Sequence, residues 1–348
     1  MRRAICTALI ALSILCSKAQ ANDNEERLLT LRLETRLDYQ RHWLDGTTVK
    51  ENTGFEGKFI NIRADGNITD NLSYSWRQRL NKEHSDRTFF DATDWVYLNY
   101  NIGQWSIAGG KQVVAIGGWE YDRAPIDLYG CSVFWNNIPC YEIGASAGYS
   151  FTESDKLTFQ FCESPFYTRD NRDMYSYNLL WNGNHGWFNA IYSINMIEYL
   201  PGRFINYIAL GNKFTVDKLT LELDLMNRAS RRQTFLFKDI SIMGEISFRP
   251  TEKWNIFGKM TYDVNRSGSD ADMCVLPGTE MKMIGGGLEF SPLKNRSHSL
   301  RFHANLFYSW GKNANDADLM QNKTTIFDIG VKWNMNLLSV PFYAYVKD

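Results

Sequence analysis

Apolar and polar residues alternate with a period of two along much of this chain. In "LTLRLETRLDYQ", residues 29–40, the odd positions are mostly apolar and the even positions mostly charged. Residues i and i+2 of a strand point to the same face of a sheet. The segment therefore predicts a strand with an apolar face and a charged face, which separates two unlike environments.

The same alternation recurs often enough to predict a chain built almost wholly of strands. Strong copies occupy 72–81, 219–225, 240–248 and 300–308. Weaker copies occupy 58–65, 143–151, 157–164, 187–196, 254–263 and 326–333. Sixteen strands can be counted up to Asn334. The tail "LLSVPFYAYVKD" is then one more strand, a carboxy-terminal extension, or a sign of a miscounted hairpin.

The connections between these strands are of two kinds that alternate along the chain. The short ones are 65–71, 101–104, 152–156, 182–185, 215–218, 249–253 and 291–297. The long ones are 41–54, 82–91, 114–140, 165–173, 198–203, 229–236, 264–280 and 311–323. Short turns at one end and long loops at the other are typical of outer-membrane barrels, whose periplasmic turns are short.

Aromatic residues stand beside most of the short turns, for example Trp105, Trp187 and Trp254. Such rings prefer the headgroup level of a membrane, and only a closed sheet satisfies every backbone group in lipid. We therefore expect an all-β fold, a transmembrane antiparallel up-and-down β-barrel. About 16 strands leave a water-filled channel rather than a packed interior, so the charged face of residues 29–40 is expected to face water.

The first 21 residues predict an exported protein. "MRR" precedes the apolar run Ala4–Cys16, and "Ala-Gln-Ala" ends at residue 21, as in a cleaved signal peptide. A lipoprotein signal at Cys16 is the less favoured alternative, because Leu15 stands where a small residue is preferred. Residues 22–348 are then a single barrel domain in the outer membrane of a Gram-negative bacterium, with outer-membrane lipid as a partner.

Composition agrees with this class and removes others. The formal net charge of −1 excludes a strongly basic nucleic-acid binder. Aromatic residues make up 14% of the chain, while proline occurs only 8 times, as suits strands. The cysteines beyond the signal show no C-x-x-C pairing, so no metal site is expected. Cys131 and Cys140 either form a disulfide that closes a small loop or remain free, partly buried thiols.

Residues 91–125, "DATDWVYLNYNIGQWSIAGGKQVVAIGGWEYDRAP", lead from a strand through a tight turn and a second strand into a long loop. In this respect the chain resembles the phosphate-selective porins of the O and P type, and the resemblance runs over most of the mature sequence. It implies a 16-stranded porin whose third loop folds into the pore. The charged inner face and the long loops favour passive diffusion of small polar or charged solutes, with anions such as phosphate as one candidate class; the resemblance does not itself establish phosphate selectivity.

The charged residues of the predicted inner faces fall into two arcs of opposite sign. The basic arc contains Arg32, Arg36, Arg63, Arg77, Arg79 and Lys111. The acidic arc contains Glu222, Asp224, Glu245, Asp263 and Glu289. Separated walls of opposite sign create a field across a pore that orients polar solutes. The alternative is that these side chains only keep the inner wall hydrated and do not select solutes.

The third loop, 114–140, combines charges with many aromatic residues. Its charged residues are Glu120, Asp122, Arg123 and Asp127. A loop this rich in aromatic side chains must rest on a surface, and the inner wall of the barrel is the surface we favour. Packing over the outer rim or at a subunit contact is the alternative.

The sequence does not predict an enzyme, because its five histidines are dispersed and no motif places a nucleophile or carboxylate beside them. No cofactor is expected. The main hypothesis is a porin, and a homotrimer is expected by analogy with other porins. The alternative is a non-conducting barrel that acts as a surface receptor or glycan-binding protein through aromatic residues in loops 41–54, 82–91 and 264–280.

Overall fold

The structure is a computed structural model that describes residues 27–82, 89–230, 237–295, 298–315 and 323–341. Within this part of the chain, sixteen long antiparallel strands form one closed sheet. The strands are, in chain order, β1 Arg27–Leu44, β2 Gly54–Asn67, β3 Leu72–Arg79, β4 Thr93–Ile102, β5 Trp105–Val113, β6 Tyr141–Ser150, β7 Asp155–Glu163, β8 Tyr175–His185, β9 Phe188–Leu200, β10 Arg203–Val216, β11 Leu219–Ser230, β12 Asp239–Thr251, β13 Trp254–Asn265, β14 Glu280–Lys294, β15 His298–Lys312 and β16 Thr324–Pro341. The expected signal peptide, 1–21, lies outside the described residues.

Elements other than the barrel strands are short and lie in the long loops. The helices are α1, Trp119–Asp122, and α2, Val133–Asn137. Single 3₁₀ turns occupy Lys50–Asn52, Phe89–Ala92 and Pro125–Asp127, and a two-residue strand, Thr47–Thr48, folds back on the end of β1. Among the described residues, no helix has both the length and the apolar character needed to cross a membrane.

The barrel closes between its first and last strands. β1 pairs with β16 from Arg27 opposite Pro341 to Leu44 opposite Thr324. On its other edge β1 pairs with β2, so every backbone edge is occupied along the seam. This closure is what a strand in lipid requires, because there is no water to satisfy an open edge.

The alternation in the sequence sets the two faces of the barrel. Leu37 on β1 is 42% exposed, whereas its neighbours Arg36 and Asp38 are buried. Trp105, Trp187 and Trp254 are exposed and lie beside short turns, as the sequence predicts. The expected all-β, 16-stranded antiparallel barrel is therefore confirmed, with an apolar outer face and a polar inner face.

The carboxy-terminal tail belongs in part to the last strand, and one predicted connection is wrong. Leu337–Pro341 does not begin a further strand, because β16 continues without a break to Pro341 and pairs there with the start of β1. The expected long link at 198–203 is a two-residue turn, Pro201–Gly202, and Gly202 adopts φ +70°. Glu198 holds this turn by accepting a hydrogen bond from the Gly202 amide at 2.9 Å.

The cost of a charged side chain on the outer face should depend on its depth in the membrane. Leu306 lies near the middle of β15 and is 53% exposed, while Leu293 lies near the short-turn end of β14 and is 46% exposed. Leu306→Arg should destabilise the barrel by about 2–4 kcal/mol and Leu293→Arg by about 0–1 kcal/mol, because charge is costliest at the bilayer midplane. Equilibrium unfolding by guanidinium in lipid vesicles measures both values. Equal losses in the two variants would contradict this orientation.

Candidate functional site

The third loop, 114–140, lies inside the barrel, and its first part is fixed to the wall through its backbone. Gln160 on β7 accepts a hydrogen bond from the Ala115 amide at 2.7 Å. Asn195 on β9 donates to the Ala115 carbonyl at 2.8 Å. Ser193 Oγ on β9 accepts from the Gly117 amide at 2.8 Å. Inward-pointing amide and hydroxyl groups thus take the place of the water that this backbone would otherwise bind.

Two carboxylates further along the wall, on β11 and β13, bind further backbone amides of the loop. Asp224 on β11 accepts hydrogen bonds from the Trp119 amide at 2.9 Å and the Glu120 amide at 2.8 Å. Asp263 on β13 accepts from the first two amides of α2 at 2.9 and 3.2 Å. Free amides at the start of a helix favour a negative charge. These two members of the predicted acidic arc therefore anchor the loop.

Two other acidic residues hold the loop through its arginine. Arg123 pairs with Glu245 on β12 at 2.8 Å and also contacts Glu222 on β11. Lys213 on β10 contacts Glu222 from the other side at 2.9 Å. Both carboxylates are buried. Their charge is consequently matched within the loop and wall rather than offered to solutes.

The tip of the loop reaches the seam where the barrel closes. Asp127 pairs with Arg301 on β15 at 3.0 Å and contacts Lys332 on β16. Arg36 on β1 donates to the Leu128 carbonyl at 2.8 Å. The loop thus spans the lumen, from the wall formed by β7 and β9 to the seam formed by β15, β16 and β1.

Behind the loop lies an apolar core, which is unusual for a water-filled barrel. Phe134 and Ile138 of the loop pack with Ile197 on β9 and with Tyr207 on β10, all of them buried. The rings of Phe134 and Tyr207 meet edge to face at 5.5 Å. Apolar burial of this kind stabilises a structure by about 25 cal/mol per Å². The apolar core therefore holds the loop in place in addition to the hydrogen bonds.

The loop between β13 and β14 also folds inward, which the sequence analysis did not predict. Asp272 forms an ion pair with Arg228 on β11 at 2.6 Å, and both side chains are buried. Cys274 and Val275 of the same loop are fully buried in the apolar core. The apolar run "MCVLP" is the one sequence signal that could have indicated this burial.

The arginines of β1 to β3 form a row across three neighbouring strands. Arg32 lies opposite Arg63, and Arg63 lies opposite Arg77. The guanidinium groups of Arg63 and Arg77 lie 5.4 and 4.9 Å from the centre of the Trp95 ring. Like charges in directly opposed positions repel one another. The row is kept in place by carboxylates and by this aromatic ring.

Most of the predicted basic residues carry a carboxylate partner. Arg63 pairs with Asp65 at 2.7 Å and Arg79 pairs with Asp94 at 3.3 Å. Arg77 is 1% exposed and lies 3.4 Å from Glu34 and 3.6 Å from Asp94, while Arg36 pairs with Asp38 at 2.7 Å. Within the described part of the chain, Arg32 forms no ion pair.

Lys111 stands apart from the arginine row. Its ammonium donates to the Phe90 carbonyl at 3.2 Å and lies 5.1 Å from the centre of the Phe90 ring. Along β5 it shares its side of the strand with Ile107, which is 51% exposed on the outer face. Lys111 therefore lies against Phe90, in the loop before β4, and not beside the arginines.

Of the remaining predicted residues, Glu289 and Glu120 are paired and Asp122 is exposed. Glu289 contacts Arg301 at 3.2 Å and accepts a hydrogen bond from Asn255 at 2.9 Å. Glu120 pairs with the buried Lys259 at 2.7 Å. Asp122 is the exposed carboxylate of the loop.

The expected Cys131–Cys140 disulfide is not present, and both thiols are free. Helix α2 separates the two residues, and Cys140 Sγ contacts the Ile138 carbonyl at 3.4 Å instead. Burial raises the pKa of the Cys131 thiol to about 12 and that of the Cys140 thiol to about 11. The alternative from the sequence, free and partly buried thiols, describes the structure.

Beneath the loop, two connected cavities open toward the short turns. One of about 520 Å³ lies against Arg123, Asp127 and Tyr129 of the loop. The second, of about 1060 Å³, is lined by residues of the short turns such as Lys218 and Lys253. Six residues, Arg249 among them, line both cavities. Polar space therefore extends from the short-turn end of the barrel to the loop.

The docking of the loop predicts the effect of removing one carboxylate. Asp224→Ala should leave the Trp119 and Glu120 amides without a partner, at a cost of about 1–3 kcal/mol. Hydrogen–deuterium exchange of the peptide that contains them should then quicken by about tenfold or more, since local opening becomes easier. Thr220→Val on the same face of β11 is the control, because within the described residues the Thr220 hydroxyl contacts only that of Thr215, at 3.4 Å. Unchanged exchange in Asp224→Ala would contradict the anchoring role.

The comparisons with known proteins agree with this geometry. Residues 29–196 match the family model of the phosphate-selective porins O and P. No curated protein matches the chain.

Several solved barrels have the same fold. An anion-selective porin from Comamonas acidovorans is 11% identical, with a TM-score of 0.60 over 88% of this chain and 99% of that one. The outer-membrane channel DcaP of Acinetobacter baumannii is 9% identical, with a TM-score of 0.64 over 88% of this chain and 97% of that one. OmpT of Vibrio cholerae, in its trimer form, is 11% identical, with a TM-score of 0.60 over 88% of this chain and 99% of that one.

These similarities and the alternating strands indicate the same class of protein. The closed 16-stranded barrel, the apolar outer face and the internal third loop are those of a porin. The match over 29–196 confirms the resemblance seen in the sequence. The chain is therefore similar to the phosphate-selective porins O and P over residues 29–196, and its barrel is an outer-membrane porin barrel that allows small polar solutes to diffuse passively.

Proposed function

We propose that this porin prefers small anions, such as phosphate, over cations. The observation that carries the proposal is Arg32, which lies opposite Arg63 in the row of arginines and forms no ion pair among the described residues. Positive charges on a wall of low dielectric constant raise the local concentration of anions. Each charge acts over roughly 8–10 Å at physiological salt, so the neighbouring arginines act together.

The way in which the carboxylates are used supports this preference. Glu222 and Glu245 neutralise Arg123, whereas Asp224 and Asp263 bind amides of the loop. The loop therefore neutralises or covers these four carboxylates. They repel anions in the lumen less than the sequence alone would indicate. The separated walls of opposite sign expected from the sequence become a basic wall facing a loop.

Basic residues also remain without carboxylate partners. Within the described residues, Arg32 and Arg249 form no ion pair, and Arg249 is exposed in the cavities beneath the loop. Six basic and three acidic residues line the cavity at the short-turn end. This excess of positive charge at the short-turn end adds to the attraction that the arginine row exerts on anions.

The proposed mechanism is diffusion through a narrowed, charged passage without conformational coupling. The docked loop reduces the cross-section, and the arginine row attracts hydrated anions on one side of it. Exposed side chains bind a solute weakly enough for it to leave again, which conduction requires. The receptor alternative draws no comparable support, since it would need a binding surface on the outer loops rather than charge inside the barrel.

The reversal potential across a planar bilayer with a salt gradient tests the proposal. With potassium chloride, wild-type channels should give a potential of the sign that chloride permeation produces. Double replacement by Arg32→Gln and Arg249→Gln should reduce this potential, and the reduction should be smaller near 1 M salt because exposed charges are screened. Lys50→Gln, an exposed change in an outer loop, is the matched control.

Two outcomes would contradict the proposal in different ways. A cation-selective wild-type channel would overturn the anion preference but not the porin assignment. A barrel that folds yet never conducts would favour the receptor alternative.

We also propose that the porin assembles as a homotrimer in the membrane. The support is the trimer form of the Vibrio cholerae barrel, which shares this fold, and an apolar groove on the outer face beside the seam. Phe55, which is 93% exposed, and Leu37 line that groove together with Ile329.

Chemical crosslinking in native outer membranes, followed by electrophoresis, measures this assembly. We expect a band at three times the mass of the chain, and Phe55→Ser should weaken it. A monomer band alone under conditions that crosslink a known trimeric porin would contradict the trimer.

A further inference from the structure

Three side chains from the seam of the barrel form a compact cluster that the porin function does not explain. Asp38 lies on β1, His303 on β15 and Asp328 on β16, and all three are buried. One ligand atom from each lies within 4.8 Å of the other two. We propose that these residues form a binding site for a divalent transition-metal cation such as Zn²⁺.

The distances suit such an ion. His303 Nε2 lies 3.1 Å from Asp38 Oδ1 and 3.5 Å from Asp328 Oδ1. Zinc binds nitrogen and carboxylate oxygen at about 2.0–2.2 Å in tetrahedral sites, which sets neighbouring ligand atoms about 3.3 Å apart. An imidazole and two carboxylates are ligands that zinc takes, and three protein ligands leave a fourth position for water or an anion.

The histidine itself supplies an independent reason to expect a ligand. His303 is 3% exposed, and neither of its ring nitrogens has an aligned hydrogen-bond partner within the described residues. Yet Nε2 faces both carboxylates at close range. A buried polar group in this position is costly unless it is satisfied. A cation placed among the three atoms would satisfy it.

Charge leads to the same expectation. Arg36 pairs with Asp38 at 2.7 Å and lies 3.8 Å from Asp328. One guanidinium and two carboxylates leave a buried negative charge when His303 is neutral. A divalent cation bound among the three side chains would compensate this charge.

The surrounding residues hold the ligands in position. Asn305 donates a hydrogen bond to Asp328 Oδ1 at 2.8 Å, and Arg36 orients Asp38 from its other side. Partners of this kind orient metal ligands in known sites. The Tyr129 ring of the third loop lies 4.9 Å from the His303 ring and covers the cluster.

A glycine makes the cluster possible. Asp38 and His303 lie opposite Gly330 from its two sides. A Cβ atom at Gly330 would lie 2.3 Å from Asp38 Oδ1 and 2.7 Å from His303 Cε1. The missing side chain on β16 therefore lets a residue of β1 meet a residue of β15. The motif cannot be seen in the sequence, because its members are far apart along the chain.

Isothermal titration of the untagged, refolded full chain with zinc chloride, after removal of metals by chelation, tests the site. We expect one Zn²⁺ per chain. His303→Gln and Asp328→Asn should each weaken binding by at least about tenfold, since each removes a ligand or its charge. Heat-modifiable electrophoretic mobility shows whether each variant has folded.

His185→Gln is the matched control, because His185 is an exposed histidine that lies 3.2 Å from Asp155 at a short turn. It should bind zinc as wild type does. Failure of the folded wild-type chain to take up zinc would overturn the proposal. Wild-type affinity in folded His303→Gln would also overturn it. Neither result bears on the anion preference, which the reversal potential measures separately.

Discussion

The architecture of this porin depends on carboxylates of the inner wall that accept hydrogen bonds from the backbone of the third loop. Asp224 accepts hydrogen bonds from the first two amides of α1, and Asp263 accepts from the first two amides of α2. A loop that enters a barrel must replace the water lost from its backbone, and an ionised carboxylate does this more strongly than a neutral acceptor. The position of the loop then determines which wall faces the solutes.

This use of the acidic residues changes the electrostatics of the lumen. Four carboxylates of the acidic arc serve the loop, so the arginine row on β1 to β3 faces the remaining space with less opposition. Arg36 and Arg77 are themselves buried in ion pairs, whereas Arg32 forms none among the described residues. Charge in this barrel is thus divided between structural pairs that hold the loop and side chains that solutes can meet.

The fold could be predicted from the sequence because strand alternation is a local property. The odd and even positions of 29–40, and the aromatic residues beside the short turns, each specify a face without reference to distant residues. The sequence predicts a long link at 198–203 because a stretch with proline and glycine is typical of a loop, whereas Glu198 stabilises a two-residue turn there. The role of Asp224 could not be predicted, since its partners are amides of a loop about a hundred residues away. The cluster around His303 was hidden for the same reason.

A cryo-electron microscopy map of the porin in lipid nanodiscs tests the account most directly. It should show the third loop inside the barrel, with continuous density from the Asp224 carboxylate to the Trp119 and Glu120 amides and open, solvent-filled space beside Arg32 and Arg63. A loop that lies over the outer rim, or one that rests on the arginines of β1 to β3, would contradict it.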